Sequence, residues 1–272
     1  MVKLIGKHLT LLAGLAAAGL LPQARAQSPI DLGAASHFAV VAGGGITITG
    51  SVDSTAIVGD IGAFPTTTIT GLENVALTGT DQGGNGFTQA AVTSIATAYS
   101  TAAGLSATTT YTPIVDIGGL TLTPGVYKDP TSIAVTGTLT LNGQGNSNSV
   151  WVFQAGSTLT TATNSQIVLE NGAQASNVFW QVGSSATLLG SSSNFSGTIL
   201  AYASISLGSD MTVNGSLFAE SGAVTLNADS IMTPVPEPAT TPMLVAACVA
   251  LLVGARELRR HLAGRKRSNL PA

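Results

Sequence analysis

The sequence predicts an all-β protein, a three-sided β-solenoid with one long α-helix packed along its side. Three observations support this prediction. Short segments in which apolar and polar residues alternate recur three times in every period of about 18 to 20 residues, as in a chain wound into stacked coils. Only 8% of the 272 residues are charged, which would suit a membrane protein, but no long apolar run lies between residues 30 and 240. A single stretch, residues 87–103, instead has the spacing of an amphipathic helix.

The repeats form three series, one for each side of the predicted solenoid. Each segment is about as long as an ordinary β-strand, and Gly, Ser or Asn separates it from the next. The first series aligns residues 178–181, 198–201 and 216–219. The second aligns residues 186–188, 205–207 and 224–226, and the third aligns Phe195, Val213 and Ile231. Because all three series keep one phase, these segments are predicted to form successive coils.

The first 26 residues are predicted to be a secretory signal peptide. Lys3 and Lys7 supply a positive start, an apolar segment follows, and Ala24-Arg25-Ala26 is a small-residue cleavage site. The folded domain is then expected to span residues 27–234 of an exported protein. The only cysteine, Cys248, lies beyond that domain, so no disulfide is expected within it.

The charge of this domain excludes one large class of partner. Its only Lys or Arg is Lys128, against eleven acidic residues. Nucleic acids carry a negative charge at every phosphate and are bound through clusters of Lys and Arg. Binding to nucleic acid is therefore excluded, and anionic lipid is an equally poor partner for the domain.

The chain before the regular repeats contains further strands and the helix. A first set of coils is predicted from alternating segments at 38–41, 46–49, 57–61 and 68–70. Between residues 87 and 103 Gly and Pro are absent and Ala dominates. The apolar stripe of this helix is predicted to consist of Phe87, Ala91, Ile95, Ala98 and Ala102. Such a stripe needs an apolar partner, and a flank of the solenoid is the only large one expected.

Four motifs, in this order along the chain, resemble those of the microbial ice-binding proteins of the discontinuous β-solenoid type. They are GDIG at 59–62, LTPGVY at 122–127, LNGQG at 141–145 and NVFWQVG at 177–183. The resemblance covers residues 30–233. It implies a right-handed, three-sided parallel β-helix in which the N-terminal segment is inserted beside the later coils, so that the coils are not stacked in chain order. It also implies that the second side of the solenoid carries the activity.

The C-terminal segment, residues 235–272, is similar to the PEP-CTERM sorting signal of Gram-negative bacteria. Pro236, Glu237 and Pro238 precede an apolar run at 243–255, and a cluster of Arg and Lys follows. The resemblance implies a short transmembrane segment and a membrane protease that cuts near the Pro-Glu-Pro, leaving the protein at the cell surface or outside the cell. The run is short for a span of about 20 residues but long enough for a transient anchor. A basic amphipathic surface helix is the alternative interpretation.

The inventory of reactive side chains predicts that the protein is not an enzyme. His37 is the only histidine of residues 27–234, and a structural role suits it better than a place in a Ser/His/Asp site. No cluster of Cys and His has the spacing of a zinc or other transition-metal site. The aspartates are dispersed, and no spacing among them indicates a calcium site. Neither a cofactor nor a metal is expected.

The second side of the solenoid carries the predicted functional surface. If Leu159, Ile205 and Val224 point into the core, the residue after each of them points outward. Neighbouring coils lie about 4.7 Å apart, so these side chains would form a row of methyl and hydroxyl groups that holds water in a lattice close to ice. Charges would disturb that water. The predicted ice-binding residues are Thr160, Thr187, Ser206 and Thr225, with Thr47 and Thr68 if the earlier coils share the phase.

Two alternatives stay open on the sequence alone. Outward threonines also occur simply because Thr has a high β propensity. A secreted, nearly uncharged solenoid with a sorting signal would also suit an extracellular matrix or adhesion protein associated with exopolysaccharide. The mixture of Thr, Ser and Ala on the second side favours moderate activity, such as inhibition of recrystallisation, over strong depression of the freezing point.

Overall fold

The computed structural model describes residues 27–112 and 115–234. The predicted signal peptide and the predicted sorting signal lie outside these residues. The helix α1 spans Gly86–Gly104, and short 3-10 helices span Gly33–His37, Leu72–Asn74 and Ala175–Asn177. All remaining regular structure is β-strand, arranged in three parallel sheets that we call A, B and C.

The strands follow one another around the three sheets in the order A, B, C. Sheet A contains β1 Phe38–Ala42, β4 Asp60–Ala63, β7 Thr109–Thr110, β10 Gly125–Asp129, β13 Trp151–Ala155, β16 Val178–Val182, β19 Thr198–Ala201 and β22 Leu217–Ala219. Sheet B contains β2 Ile46–Thr49, β5 Ile69–Thr70, β8 Val115–Asp116, β11 Ile133–Val135, β14 Leu159–Thr161, β17 Ala186–Leu188, β20 Ile205–Leu207 and β23 Val224–Asn227. Sheet C contains β3 Thr55–Val58, β6 Val75–Thr78, β9 Thr121–Leu122, β12 Thr138–Asn142, β15 Gln166–Glu170, β18 Asn194–Ser196, β21 Thr212–Asn214 and β24 Ser230–Met232.

The coils are not stacked in chain order. In sheet A the order is β4-β1-β22-β19-β16-β13-β10-β7, and sheets B and C repeat it strand for strand. The first two coils, β1 to β6, therefore lie beyond the last coil, β22 to β24. The third coil in chain order, β7 to β9, lies at the opposite end of the solenoid. This confirms the discontinuous β-solenoid with its inserted N-terminal segment.

Helix α1 packs on the outer surface of sheet A. It contacts β1, β13, β16 and β19. Asn85 begins the helix by accepting hydrogen bonds from the backbone N–H of Phe87 and Thr88. At the other end, Gln154 of β13 donates through Nε2 to the carbonyl oxygens of Ala102 (2.7 Å) and Leu105 (2.9 Å). The sheet thus caps the helix that covers it.

The predicted helix is confirmed, but one residue of its stripe is wrong. Ala91, Ile95, Ala98 and Ala102 are buried, whereas Phe87 is 71% exposed. Thr88 takes its place as the first buried residue and donates to the Gly83 carbonyl. The helix begins close against Gly62 of β4, where a Cβ would lie 2.5 Å from Thr88 Oγ1. That narrow space admits a threonine, and the bulkier phenylalanine ring stays in solvent.

Two of the three repeat series have the predicted register. Ala186 pairs with Ile205 and Ile205 with Val224, and in sheet C Phe195, Val213 and Ile231 pair in succession. The first series is wrong by one residue at its first step, since Phe179 rather than Val178 pairs with Thr198. Every residue of β16 and β19 is buried, so no alternation of apolar and polar residues marked the register there.

Aromatic rings fill part of the interior between the three sheets. Phe153 and Trp180 stack with ring centroids 4.0 Å apart, and Tyr127 lies 5.5 Å from Phe153. Phe195 of sheet C reaches Trp180 at 5.2 Å. Closely packed interiors of this kind resist deformation, so the sheets around them have fixed shapes.

Candidate functional site

The outer surface of sheet B carries one continuous row of small side chains, which we call the threonine row. Each member pairs with the next across the parallel ladder. Parallel strands lie about 4.8 Å apart, so successive members are spaced at that distance. From one end of the solenoid to the other the row consists of Thr70, Thr47, Thr225, Ser206, Thr187, Thr160, Ala134 and Asp116.

The strand pattern orients these side chains. In β14 the residues on either side of Thr160 are buried and Thr160 is exposed, and β17 repeats this pattern around Thr187. In β2 the buried isoleucines alternate with the exposed Thr47 and Thr49. One polar residue between two core residues is the normal alternation of a half-buried strand. The row is therefore a direct consequence of the core packing beneath it.

The structure brings five of the six predicted residues into the threonine row and leaves one out. Thr68 precedes β5, and its carbonyl accepts a hydrogen bond from the backbone N–H of Ile46 at the edge between sheets A and B. Thr70 takes the place in the row, paired with Thr47. Because β5 has only two residues, the alternation in the sequence does not set its phase. The dipeptide Ile-Thr occurs at 46–47, 48–49 and 69–70, and this recurrence is the signal that Thr70 rather than Thr68 follows an inward isoleucine.

The threonine row is uncharged from Thr70 to Thr160. Its one ionisable member is Asp116, at the far end beyond Ala134. Partial burial of that carboxyl favours a higher pKa, but hydrogen bonds from the backbone N–H of Gly118 and Thr136 outweigh it and lower the pKa of Asp116 below its ordinary value. Asp116 is thus an anion at neutral pH, and it marks one limit of the neutral surface.

Direct stacking of the coils keeps sheet B even along its length. At the edge between sheets A and B the turns contain glycines whose missing side chains allow backbone to lie on backbone. A Cβ on Gly183 would lie 2.2 Å from the Gly156 carbonyl oxygen, and one on Gly43 would lie 2.2 Å from that of Glu220. Larger residues at these turns would push the coils apart and break the regular spacing of the row.

Sheet C presents a different outer surface. Its strands expose long amides beside apolar groups, with Gln166 and Asn194 joined by a side-chain hydrogen bond. Met232 and Val58, which are paired neighbours in the ladder, are 48% and 41% exposed. Side chains of such different length and polarity do not form a regular array. Of the two sheets whose outer faces are open to solvent, only sheet B has the uniform row.

The described residues offer little for catalysis. A cleft of about 520 Å³ lies at the edge between sheets C and A, and no ionisable side chain lines it. His37 is exposed at the end of its 3-10 helix rather than packed within the solenoid. Within residues 27–112 and 115–234 no group of three or more His, Cys, Asp or Glu side chains is placed to hold a metal ion.

Comparison with known proteins agrees with this geometry. The sequence profile of the family described as Ice-binding-like matches residues 40–232, which include almost the whole solenoid. The chain belongs to this family. It is 38% identical to an ice-binding protein of Nostoc sp. (strain HG1) over 269 residues, covering 94% of this chain and 98% of that protein. It is 37% identical to an ice-binding protein of Flavobacterium frigoris (strain PS1), covering 75% of this chain and 76% of that one.

Solved structures of ice-binding proteins share the fold. The crystal structure of an ice-binding protein from an Antarctic biological consortium superposes with a TM-score of 0.74 at 40% identity, covering 78% of this chain and 95% of that one. The ice-binding protein of the Antarctic ascomycete Antarctomyces psychrotrophicus superposes with a TM-score of 0.72 at 39% identity, covering 76% of this chain and all of the other. Among the described residues of the present chain, no helix is long and apolar enough to span a membrane.

Proposed function

We propose that this member of the ice-binding-like family adsorbs to ice through the threonine row of sheet B and slows the growth or recrystallisation of ice. The observation that carries the proposal is the uninterrupted neutral register from Thr70 to Thr160 on a sheet that no described helix covers. The names of the relatives support it, since proteins 37–38% identical to this chain are ice-binding proteins.

The chemistry of the row suits a solid water surface. Methyl groups of threonine leave neighbouring water molecules few alternatives to bonding with each other, and the hydroxyl groups hold some of them by hydrogen bonds. The six residues from Thr70 to Thr160 repeat this arrangement over roughly 24 Å at the strand spacing. Each contact is weak, but a rigid row makes all of them at once. A free ion would instead orient water around itself, and this part of the row has none.

The composition of the row points to moderate activity. Ser206 lacks the methyl group that its threonine neighbours carry, and Ala134 lacks the hydroxyl. The threonine row is therefore incomplete at two positions. Inhibition of recrystallisation requires adsorption to ice but no strong depression of the freezing point, so it matches such a surface.

The remaining features of the sequence complete the proposal. The protein acts without catalysis or a cofactor, since its candidate site is a surface rather than a cleft with reactive groups. The signal peptide predicted at residues 1–26 supports export from the cell. Pro236, Glu237 and Pro238 with the apolar and basic segments after them support recognition by a membrane sorting protease. If the domain failed to adsorb to ice, these features would favour the exopolysaccharide-associated matrix protein instead.

Replacement of Thr187 by Tyr tests the proposal. The ring would stand above the middle of the row and hold the neighbouring coils away from the ice, while the buried Ala186 and Leu188 stay in place. The fraction of protein carried into a slowly growing ice front is expected to fall sharply. Surface substitutions of this kind change the free energy of unfolding by about 0.5 kcal/mol or less.

Thr212→Tyr is the matched control. Thr212 is exposed on sheet C, in the coil next to that of Thr187. Ice partitioning of residues 27–234 should be almost unaffected by this change. Equal losses from both substitutions would show that the threonine row is not the adsorbing surface, and no partitioning by the unaltered domain would refute ice binding itself.

A further inference from the structure

The chain leaves the solenoid after β24, and the position of this exit determines which way the threonine row faces when the protein is attached through its C-terminal end. After β24 the backbone N–H of Thr233 donates to the Val58 carbonyl (3.0 Å), and its hydroxyl donates to the same oxygen (3.2 Å). A Cβ on Gly59 would lie 2.6 Å from Thr233 Cγ2. Gly59 joins sheet C to sheet A, so Thr233 lies at the edge between these two sheets.

The chain cannot continue around the solenoid from Thr233. In the two preceding coils Gly197 and Gly215 occupy the same edge, and each leads directly into the next strand of sheet A. Beyond β24 the next place in sheet A is filled by β1, which is already paired with both β22 and β4. The insertion of the N-terminal coils therefore leaves Thr233 at the edge between sheets C and A, with no place for the chain in the next strand of sheet A.

The other end of the described chain also lies away from sheet B. Ile30 is buried in the apolar cluster between α1 and sheet A. Gln27 lines the cleft at the edge between sheets C and A, together with Asn148 and Ser149. Neither end of the described chain approaches the threonine row, and α1 covers sheet A alone.

In a three-sided solenoid, the edge between two sides faces away from the third side. The edge where Thr233 leaves is therefore opposite sheet B. From this placement, and resting on the ice binding proposed above, we infer that a chain held at its C-terminal end points its threonine row away from its carrier and attaches that carrier to ice. The function of an attached chain is then adhesion as well as inhibition of ice growth.

Until the sorting protease cuts near Pro236, Glu237 and Pro238, the carrier that the sequence indicates is a lipid surface. The segment that follows Thr233 contains the apolar run 243–255 and then six basic residues, the pattern of a segment held in a bilayer with its cationic end at lipid headgroups. The solenoid itself carries eleven acidic residues and Lys128, so anionic headgroups repel it. Attachment through the tail and repulsion of the solenoid both keep sheet B free.

An introduced cysteine allows a direct test, because residues 27–234 contain none. Lipid vesicles that carry maleimide headgroups react with its thiol, whose sulfur adds to the maleimide double bond while a proton adds to the other carbon. Two variants of residues 27–234 differ in the point of attachment: Pro234→Cys attaches the domain at the exit edge, and Thr187→Cys attaches it through the threonine row. Labelled vesicles are then presented to a growing ice front, with the uncoupled chains as a reference.

Vesicles coupled through Pro234→Cys are expected to enter the ice at least about tenfold more than those coupled through Thr187→Cys, because many chains on one vesicle bind together. If the uncoupled chain adsorbs but the vesicles coupled at Pro234→Cys do not, the inferred orientation is wrong. Equal adsorption of vesicles coupled at either position would also overturn it. Failure of the uncoupled chain itself would instead refute ice binding, so the two failures are distinguishable.

Discussion

Sheets A and B contain equal numbers of parallel strands from the same coils, yet they have opposite surroundings. The inner faces of both sheets line the aromatic and aliphatic core. The outer face of sheet A is covered by α1 and buries large groups such as Phe179, Leu200 and Phe218, whereas the outer face of sheet B is open and carries the threonine row. One sheet stabilises the solenoid on two faces, and the other stabilises it on one face and leaves the second for binding.

This difference shows how a flat binding surface keeps its shape although no other element of the protein packs on it. The free energy of folding comes from the interior and from the layer between α1 and sheet A, where apolar side chains are excluded from water. The threonine row then needs no packing partner, and substitutions in it are expected to leave the fold intact. Substitutions on the two sheets should consequently have opposite effects on stability and on ice adsorption.

The largest expected effect comes from Ile95→Asp in α1. Ile95 is 2% exposed, in the apolar cluster that joins the helix to sheet A. A carboxylate there would be buried without a partner, and the free energy of unfolding should fall by about 3 to 5 kcal/mol. Thermal or denaturant unfolding of residues 27–234 measures this loss.

Thr97→Asp provides the control on the same helix. Thr97 is exposed and two residues from Ile95, so it faces solvent. Its replacement should change stability by less than about 1 kcal/mol. If Ile95→Asp left the unfolding transition unchanged, the helix would not contribute to the fold in the way that the packing of sheet A indicates.

The same contrast explains which parts of the fold could be predicted from the sequence. In sheet B one polar residue lies between two apolar residues in almost every coil, so the register of the second series and the outward row were readable. In sheet A both faces are buried, and a residue such as Phe179 is as apolar as its inward neighbour Trp180. A shift of one residue then leaves the pattern unchanged, so the sequence does not fix the register of the first series.

Two further errors have local physical causes. Phe87 and Thr88 both lie at helical spacing from Ala91, and only the close approach of the helix to Gly62 decides between them. Thr68 and Thr70 lie on either side of Ile69, and only the pairing of Ile69 with Ile46 sets the phase of so short a strand. The order of the coils came from the family resemblance, because repeat spacing does not state which coil lies beside which.

A change of pH is expected to alter the stability of the fold without altering ice binding, and this effect is smaller than that of Ile95→Asp. Burial raises the pKa of Asp229, at the edge between sheets B and C, from 3.8 to about 6; hydrogen bonds from the N–H of Asn227 and Met211 oppose the shift, and Asp210 adds to it. The folded protein therefore holds this proton more tightly than the unfolded chain. Its contribution to stability is full below pH 3.8 and is lost as pH rises to about 6, a decrease of about 2 kcal/mol after allowance for solvent screening.

Ice adsorption should not follow this change, because no group from Thr70 to Thr160 in the row titrates. The measurement is denaturant unfolding at several pH values between 4 and 7, in parallel with ice partitioning. Asp229→Asn should remove most of the pH dependence of unfolding, with a remaining slope from Glu220, whose pKa is also raised by burial. A parallel loss of adsorption over this range in the folded protein would contradict the separation of stability from ice binding.

The smallest effect is expected at the end of the threonine row. Asp116→Asn keeps an oxygen that accepts the hydrogen bonds from Gly118 and Thr136 and removes the only charge of the row. Neutral acceptors form weaker hydrogen bonds than carboxylates, and because Asp116 is exposed the loss of stability should be no more than about 1 kcal/mol.

Ice partitioning should rise slightly, since water over Ala134 would no longer be ordered around an anion. The rise should be small beside the loss from Thr187→Tyr, because the charge lies two coils from the nearest threonine of the row. An increase as large as that loss would show that the neutral surface extends over the whole of sheet B, and a decrease would show that the carboxylate itself takes part in adsorption.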